Sequence, residues 1–302
     1  MRSSTRASAI PKAAAVSAPR PTGTLSLLGR RFLRNRLSLA GLMILAVWIA
    51  VALLAPVLAP HDPADVNLEV RLQPPGPGGW LGTDYYGRDI ASRIFYGARY
   101  DLLISLFAVG VAMFSGAPIG VIAGYRGGRV DSLLMRVMDV IMAFPALVLA
   151  MALASVLGPG LEKAILALAI VGMAGYARLA RASTLSTREE VYVEAARALG
   201  AADASVLLRH ILPNIISPLV IRGTLGMGFT VLLAASLSFI GLGAQPPTPE
   251  WGAMINEGHN QLITGSWWVS TFPGLAIMSL VLGFNLLGDG IRDVIDPRVH
   301  TA

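Results

Sequence analysis

Along most of this chain, apolar residues gather into long runs that contain no Asp, Glu, Lys or Arg, separated by short polar connectors. Leu37 to Pro60, Leu102 to Tyr125, Val140 to Leu161, Gly223 to Pro249 and Gly258 to Gly288 are five such runs. A sixth and weaker run, Ala164 to Ala177, continues past Arg178 through Leu179 and Ala180. A helix needs about 20 apolar residues to cross a hydrocarbon core. Five runs clear that length, and the sixth does so with an arginine that snorkels to the headgroups. The pattern predicts six membrane helices, over about 38–59, 101–124, 135–157, 164–181, 214–242 and 268–288. The fold class is therefore all-α, a polytopic membrane protein.

Two stretches break this pattern. In EEVYVEAARALGAADASVLLRHILPN, residues 189–214, Tyr192, Ala195, Ala196 and Leu199 recur at helical spacing and form one stripe of mostly small apolar residues. Glu189, Glu190 and Glu194 favour the positive end of that helix. Gly200 stands where a helix takes a left-handed stop, and Asp203 is placed to cap a second helix that Pro213 ends. Read alone, this hairpin is either a connector lying on the membrane or a face for another protein. The other stretch begins at Asp89, where Ile90, Ile94 and Phe95 share a face and predict a surface helix over 89–100. Trp267 and Trp268 open the last span, where indole rings favour the outer headgroup layer.

Composition agrees with the pattern. The chain is 54% hydrophobic and 14% charged, with a mean hydropathy of +0.63, against about a quarter charged in a soluble domain. A net charge of +6 invites a nucleic-acid reading, but the basic residues are sorted by side. With six spans, 19 of the 24 Lys and Arg fall on one face. Such an excess marks the cytoplasm, so the charge reports orientation and no nucleic-acid partner is expected. Both termini and the hairpin are then cytoplasmic. The predicted plan is a disordered tail over 1–29, a first membrane helix in 30–60 and an extracytoplasmic segment over 61–100. A core with five membrane helices follows over 101–289, containing the hairpin 183–214, and a short cytoplasmic tail over 290–302. The Ser-, Ala- and Arg-rich opening resembles a transit peptide in composition, but its basic residues lead straight into a span.

The chemistry is sparse. There is no cysteine, and His61, His210, His259 and His300 are scattered without metal-ligand spacing, so no metal, cofactor or catalytic residue is expected. The only lysines, Lys12 and Lys163, lie in no phosphate-binding loop. The glycines of GTLGMGF, residues 223–229, read as close-packing positions in a span. Asp139 is expected to pair locally. Asp84, Arg88 and Asp89 mix charges in a glycine-bearing loop, which fits either an interlocked turn or a docking surface for a partner. Glu250 and Trp251, in the rigid PPTPEWG loop, are comparable docking candidates. Arg222, roughly 13 Å of helix rise beyond Pro213, either meets a substrate carboxylate in a pathway, snorkels, or pairs with an acid such as Asp139.

The hairpin, through Glu194-Ala195-Ala196, Gly200 and Leu212-Pro213, resembles the EAA loop of permeases from binding-protein-dependent ABC importers. RNRLSLAGLMILA, LGTDYYGRDIASRIFYGAR, AGYRGGRVDSLLMRVMD, QPPTPEWG and FPGLAIMSLVLGFNLLGDGIRDVIDPR resemble one branch, the C-type permease of dipeptide, oligopeptide and nickel importers, over roughly residues 30–298. The family often places an aliphatic residue where His210 stands here, a role Ile211 is positioned to take over. The resemblance implies a type I importer permease fold in a bacterial inner membrane. It implies a B-type permease partner, two cytoplasmic ATPase subunits, an extracytoplasmic peptide-binding protein and a peptide cargo. It makes Tyr192, Glu194, Ala195, Ala196, Leu199, Gly200 and Pro213 the ATPase-coupling residues. A secondary transporter or channel is the alternative, although such proteins usually carry intramembrane acids.

Overall fold

The computed structural model describes residues 35–76 and 79–295. The predicted tail over 1–29 and His300 lie outside the described residues. Nine helices carry the described fold, which contains no strand beyond two isolated bridges, Gly76 with Gly79 and Thr83 with Asp89. Helix α1, Arg36–Leu58, starts at Asn35, whose side chain accepts from the Leu37 and Ser38 amides. Helix α2, Ile90–Arg126, has 37 residues and starts at Asp89, which accepts from the Ser92 amide at 2.8 Å. At 1.5 Å per residue it exceeds the roughly 30 Å hydrocarbon thickness by several turns.

This length overturns the predicted surface helix over 89–100. Ile90, Ile94 and Arg93 are buried in the first turns of α2 itself. Their amphipathic spacing reflects cover by the preceding loop and by helix α8, Trp251–Gly258, where lipid headgroups were expected.

The third span is also not one helix. Helix α3, Gly128–Met142, and helix α4, Ala146–Leu157, meet at a 90° bend. Pro145 disfavours helical geometry at Phe144 and breaks the rod there. Among the described residues five helices are long and apolar enough to cross a membrane, or six where the bent pair counts as one span. Helix α5, Leu161–Arg188, is a full 28 residues, longer than its charge-free run. Two of its three arginines are neutralised from α3: Arg178 pairs with Asp139 at 2.5 Å, and Arg181 grips both oxygens of Asp131 at 2.5 and 2.6 Å.

Close packing is set by small residues at intervals of four. Gly116, Gly120 and Gly124 of α2 lie against the backbone of Met173, Ala177 and Arg181 in α5, leaving no room for a side chain. Helix α6, Val191–Ala198, follows α5. Helix α7 then runs unbroken from Asp203 to Phe239, through the position where Pro213 was expected to end one helix. Proline offers no N–H to the carbonyl four residues back. The chain accommodates it with a wider turn over Leu207–Ile211, in which the Leu212 amide reaches the Leu207 carbonyl. Asp203 is the first helical residue of α7 and not its cap. Helix α9, Trp268–Ile295, packs on α1: the Trp48 indole donates to Ser279 at 2.9 Å, and Gly41 meets the Leu286–Leu287 backbone. The glycines of 223–229 are packing positions as read, with Gly228 against Phe284 of α9 and Gly226 beneath the Tyr176 hydroxyl.

Candidate functional site

Three regions hold the predicted site residues: a hairpin at one end of the bundle, a cavity along its middle and a loop cluster at the other end. The hairpin comprises α6 and the start of α7. Gly200 has φ +82° and stops α6. Its amide reaches the Arg197 carbonyl at 2.9 Å, and the Ala201 amide reaches Ala196 at 3.1 Å, the paired bonds of a left-handed helix stop. One residue anchors the hairpin inward. Val193 is fully buried against Val206, Ile211 and Ile215 of α7 and Tyr176 of α5. Ile211 thus fills the packing role at the position next to His210.

The predicted stripe turns the other way. Tyr192, Glu194, Ala195 and Gly200 face outward, Ala196 is half-buried, and Leu199 is 89% exposed. Pro213 is exposed as well. Ties run from this hairpin to three spans. The Asn214 amide group donates to the Tyr192 hydroxyl at 3.0 Å. Tyr125, at the end of α2, donates to Asp203 at 2.5 Å and carries the Arg197 guanidinium 5.1 Å above its ring. Arg188 donates to the Gly124 carbonyl at 2.9 Å. Val193, Tyr125 and Asn214 were not legible as site residues, because each matters through a partner distant in sequence.

Between the ends lies an open-sided cavity of about 1060 Å³, walled by α2, the bent pair α3 and α4, α5, α7 and Arg292 of α9. This is at the upper end of ligand-site volumes. Its wall is mostly apolar, with Phe144, Leu168 and Phe229, and among the described residues it carries Arg222 and Arg292 with no Asp or Glu. The Arg222 guanidinium sits 5.5 Å from the centre of the Tyr176 ring, against Gly175. Asp139 is already engaged by Arg178, so the expected Arg222–Asp139 pairing does not form.

At the loop end, the predicted docking residues are brought together but turned inward. Arg88 pairs with Asp84 at 2.7 Å and with Glu257 of α8 at 2.5 Å, while Arg93 reaches Glu257 at 3.1 Å. Asp89 serves as the cap of α2. Glu250 caps α8 by accepting from the Gly252 and Ala253 amides at 3.0 and 2.8 Å. Trp251 is fully buried, meets Trp48 in a tilted contact with ring centres 4.7 Å apart, and donates to the Ile94 carbonyl at 3.1 Å. Burial pushes the Glu250 carboxyl above its usual range, against the lowering effect of its amide donors. The side chains of Asp84, Arg88, Asp89, Glu250 and Trp251 are thus buried and engaged within the chain, the arrangement of an interlocked turn. Glu257, the hub of the cluster, has no sequence signal: it reads as an ordinary polar residue of a short helix.

Comparison with known proteins agrees with this architecture. Residues 116–301 match the binding-protein-dependent transport system inner membrane component family, and residues 25–75 match the N-terminal TM domain of oligopeptide transport permease C. The chain is 44% identical over 268 residues to a dipeptide transport system permease protein of Alkalihalophilus pseudofirmus, covering 89% of this chain and 88% of that one. It is 44% identical over 273 residues to a glutathione transport system permease protein of Pectobacterium atrosepticum, covering 90% of each. Among solved structures, the inward-facing MetNI methionine ABC transporter shares the fold, with a TM-score of 0.57 at 19% identity over 68% of this chain and 98% of that one. The chain belongs to the binding-protein-dependent transport system inner membrane components, as a multi-pass permease subunit of the C-type branch.

Proposed function

We propose that this permease forms half of an import pathway for dipeptides or short oligopeptides and is moved through its hairpin by separate ATPase subunits. The observation that carries the reading is the hairpin itself. It is anchored inward by one buried valine and tied to α2 and α7, and among the described residues Glu194, Ala195 and Leu199 on its outer face stay exposed. A rigid lever with an uncovered small-residue face suits reception of force from another protein. Tyr192, Glu194, Ala195, Ala196, Leu199, Gly200 and Pro213 are the coupling residues, and the cavity with Arg222 is this subunit's part of the pathway.

In this reading the hairpin 183–214 and both termini face the cytoplasm, with the tails over 1–29 and 290–302, while 61–100 faces outward. A B-type permease closes the open side of the cavity, two ATPases grip the hairpins, and an extracytoplasmic peptide-binding protein delivers cargo. ATP is hydrolysed by the partner subunits in this reading, since the chain's lysines lie outside any phosphate loop. The peptide assignment is supported by the names of relatives that carry dipeptides and glutathione. A secondary transporter is disfavoured by a cavity wall without an acid to couple ions. The test is Gly200→Asp and Glu194→Lys in the complete transporter. Peptide uptake collapses while the permease still inserts; unimpaired uptake with normal ATPase assembly contradicts the proposal.

A further inference from the structure

Arginine is expensive at membrane depth, and where it persists it faces a cavity or a counter-charge. Arg222 lies about 12 Å of helix rise beyond Asn214, past the hairpin end of α7. It does not point back there: it lies over Tyr176 and in the space left by Gly175, both on the cavity-facing side of α5. A Cβ at position 175 would collide with the guanidinium. Among the described residues Arg222 forms no ion pair, whereas Arg178 and Arg181 in the neighbouring helix are both matched by acids. The site therefore contains a positioned cation, an aromatic ring to hold it, a glycine that makes room, a second arginine (Arg292) in the same wall and, among the described residues, no acid there.

Resting on the peptide-permease reading, we propose that Arg222, seated on Tyr176 and Gly175, binds the C-terminal carboxylate of the peptide in transit. This would orient the cargo with its acid end toward this subunit and its ammonium end toward the partner. The guanidinium lies over the ring in the cavity wall, and its planar fork matches a carboxylate. The carboxylate is common to all unmodified peptides, so the contact is indifferent to side chains, as a pathway for varied cargo requires.

The experiment uses the complete transporter in proteoliposomes with its binding protein, and compares Arg222→Lys, Arg222→Gln and Arg222→Glu. The expected order of dipeptide uptake is wild type, Lys, Gln, Glu. Gln is reduced about tenfold or more, in line with the strength of a hydrogen bond to a charged group. Gly175→Ala, which displaces the guanidinium, is expected to behave like Gln. The same dipeptide as its C-terminal amide is taken up equally by wild type and Gln, because the contact has no anion to lose. Comparing each substrate between variants cancels any selectivity of the binding protein. Uptake by Gln within twofold of wild type overturns the inference, as does equal loss for Lys, Gln and Glu. Equal loss of acid and amide overturns it too, and would assign Arg222 to a counter-charge on the partner permease. A wild-type complex that carries no peptide at all would instead remove the peptide reading itself.

Discussion

The Tyr192 hydroxyl accepts a hydrogen bond from the Asn214 amide group at 3.0 Å, joining the outward face of α6 to α7 just after Pro213. Together with Val193 on the adjoining, buried face, this gives α6 two attachments on the same membrane helix. A push on the hairpin is then delivered to α7 as displacement, with little lost to hinging.

Removing that bond while keeping the ring is the mildest way to loosen the lever. Tyr192→Phe is expected to cost about 1 kcal/mol. Peptide uptake per ATP hydrolysed should fall, with ATPase stimulation by the binding protein retained. Parallel measurement of uptake and ATPase turnover checks this; loss of both in equal measure would place Tyr192 in assembly instead.

Val193→Ala acts from the buried face. A buried valine contributes about 1.5–3 kcal/mol, and its truncation should lower the melting temperature and uptake together, unlike Tyr192→Phe. A melting temperature unchanged by Val193→Ala would show that the hairpin is not anchored where it is drawn.

Gly200 separates conformation from contact. At φ +82° with open space around it, a β-branched residue is strained while asparagine is tolerated. Gly200→Val should reduce both thermal stability and uptake. Gly200→Asn should keep the melting temperature near wild type but still reduce uptake, because the added side chain enters the outer face.

At the opposite end, Glu257 neutralises Arg88 and Arg93 at once. Glu257→Gln leaves Asp84 alone against two buried guanidiniums, a loss of about 3–5 kcal/mol by analogy with broken buried pairs. Expression with a sharply lowered melting temperature is the expected result. A double variant, Glu257→Gln with Arg88→Met, should recover part of it.

Glu250 sets a pH dependence with a definite sign. Its folded-state carboxyl is held above the usual range, chiefly by burial, so the folded protein binds that proton more tightly than the unfolded chain. Stability from this group is fully present at pH below the ordinary carboxylate range and is lost as pH rises through the raised value. Thermal unfolding of detergent-solubilised protein should therefore show a shallower decline over that window in Glu250→Gln than in wild type.

The division between what the sequence disclosed and what it concealed follows from the range of the interactions. Membrane spans were visible because hydrocarbon imposes a local requirement of continuous apolar length. The helix stop at Gly200 was visible for a similar reason, since left-handed geometry is a one-residue property. The bend before Pro145 was marked in the sequence by the proline but was masked by the apolar run around it. The 89–100 helix was misplaced because an amphipathic face reads the same whether lipid or protein covers it. Burial of Arg93, Glu250 and Trp251 could not be read at all: their cover comes from residues as distant as Glu257 and Trp48. The stripe at Tyr192, Ala195, Ala196 and Leu199 was read from its period, but only the structure shows that it faces away from the bundle and that Val193 faces in.

The central claim is that this outer face is where a motor subunit grips. The chain has no cysteine, so Leu199→Cys, at 89% exposure, carries a unique thiol without further engineering. The decisive measurement is labelling of that thiol by a water-soluble maleimide in the isolated permease and in the assembled transporter, followed by maleimide–benzophenone photo-cross-linking. The account predicts fast labelling when isolated, protection on assembly, and a cross-link to an ATPase subunit. Equal labelling in both states, with no cross-link to an ATPase, would contradict it.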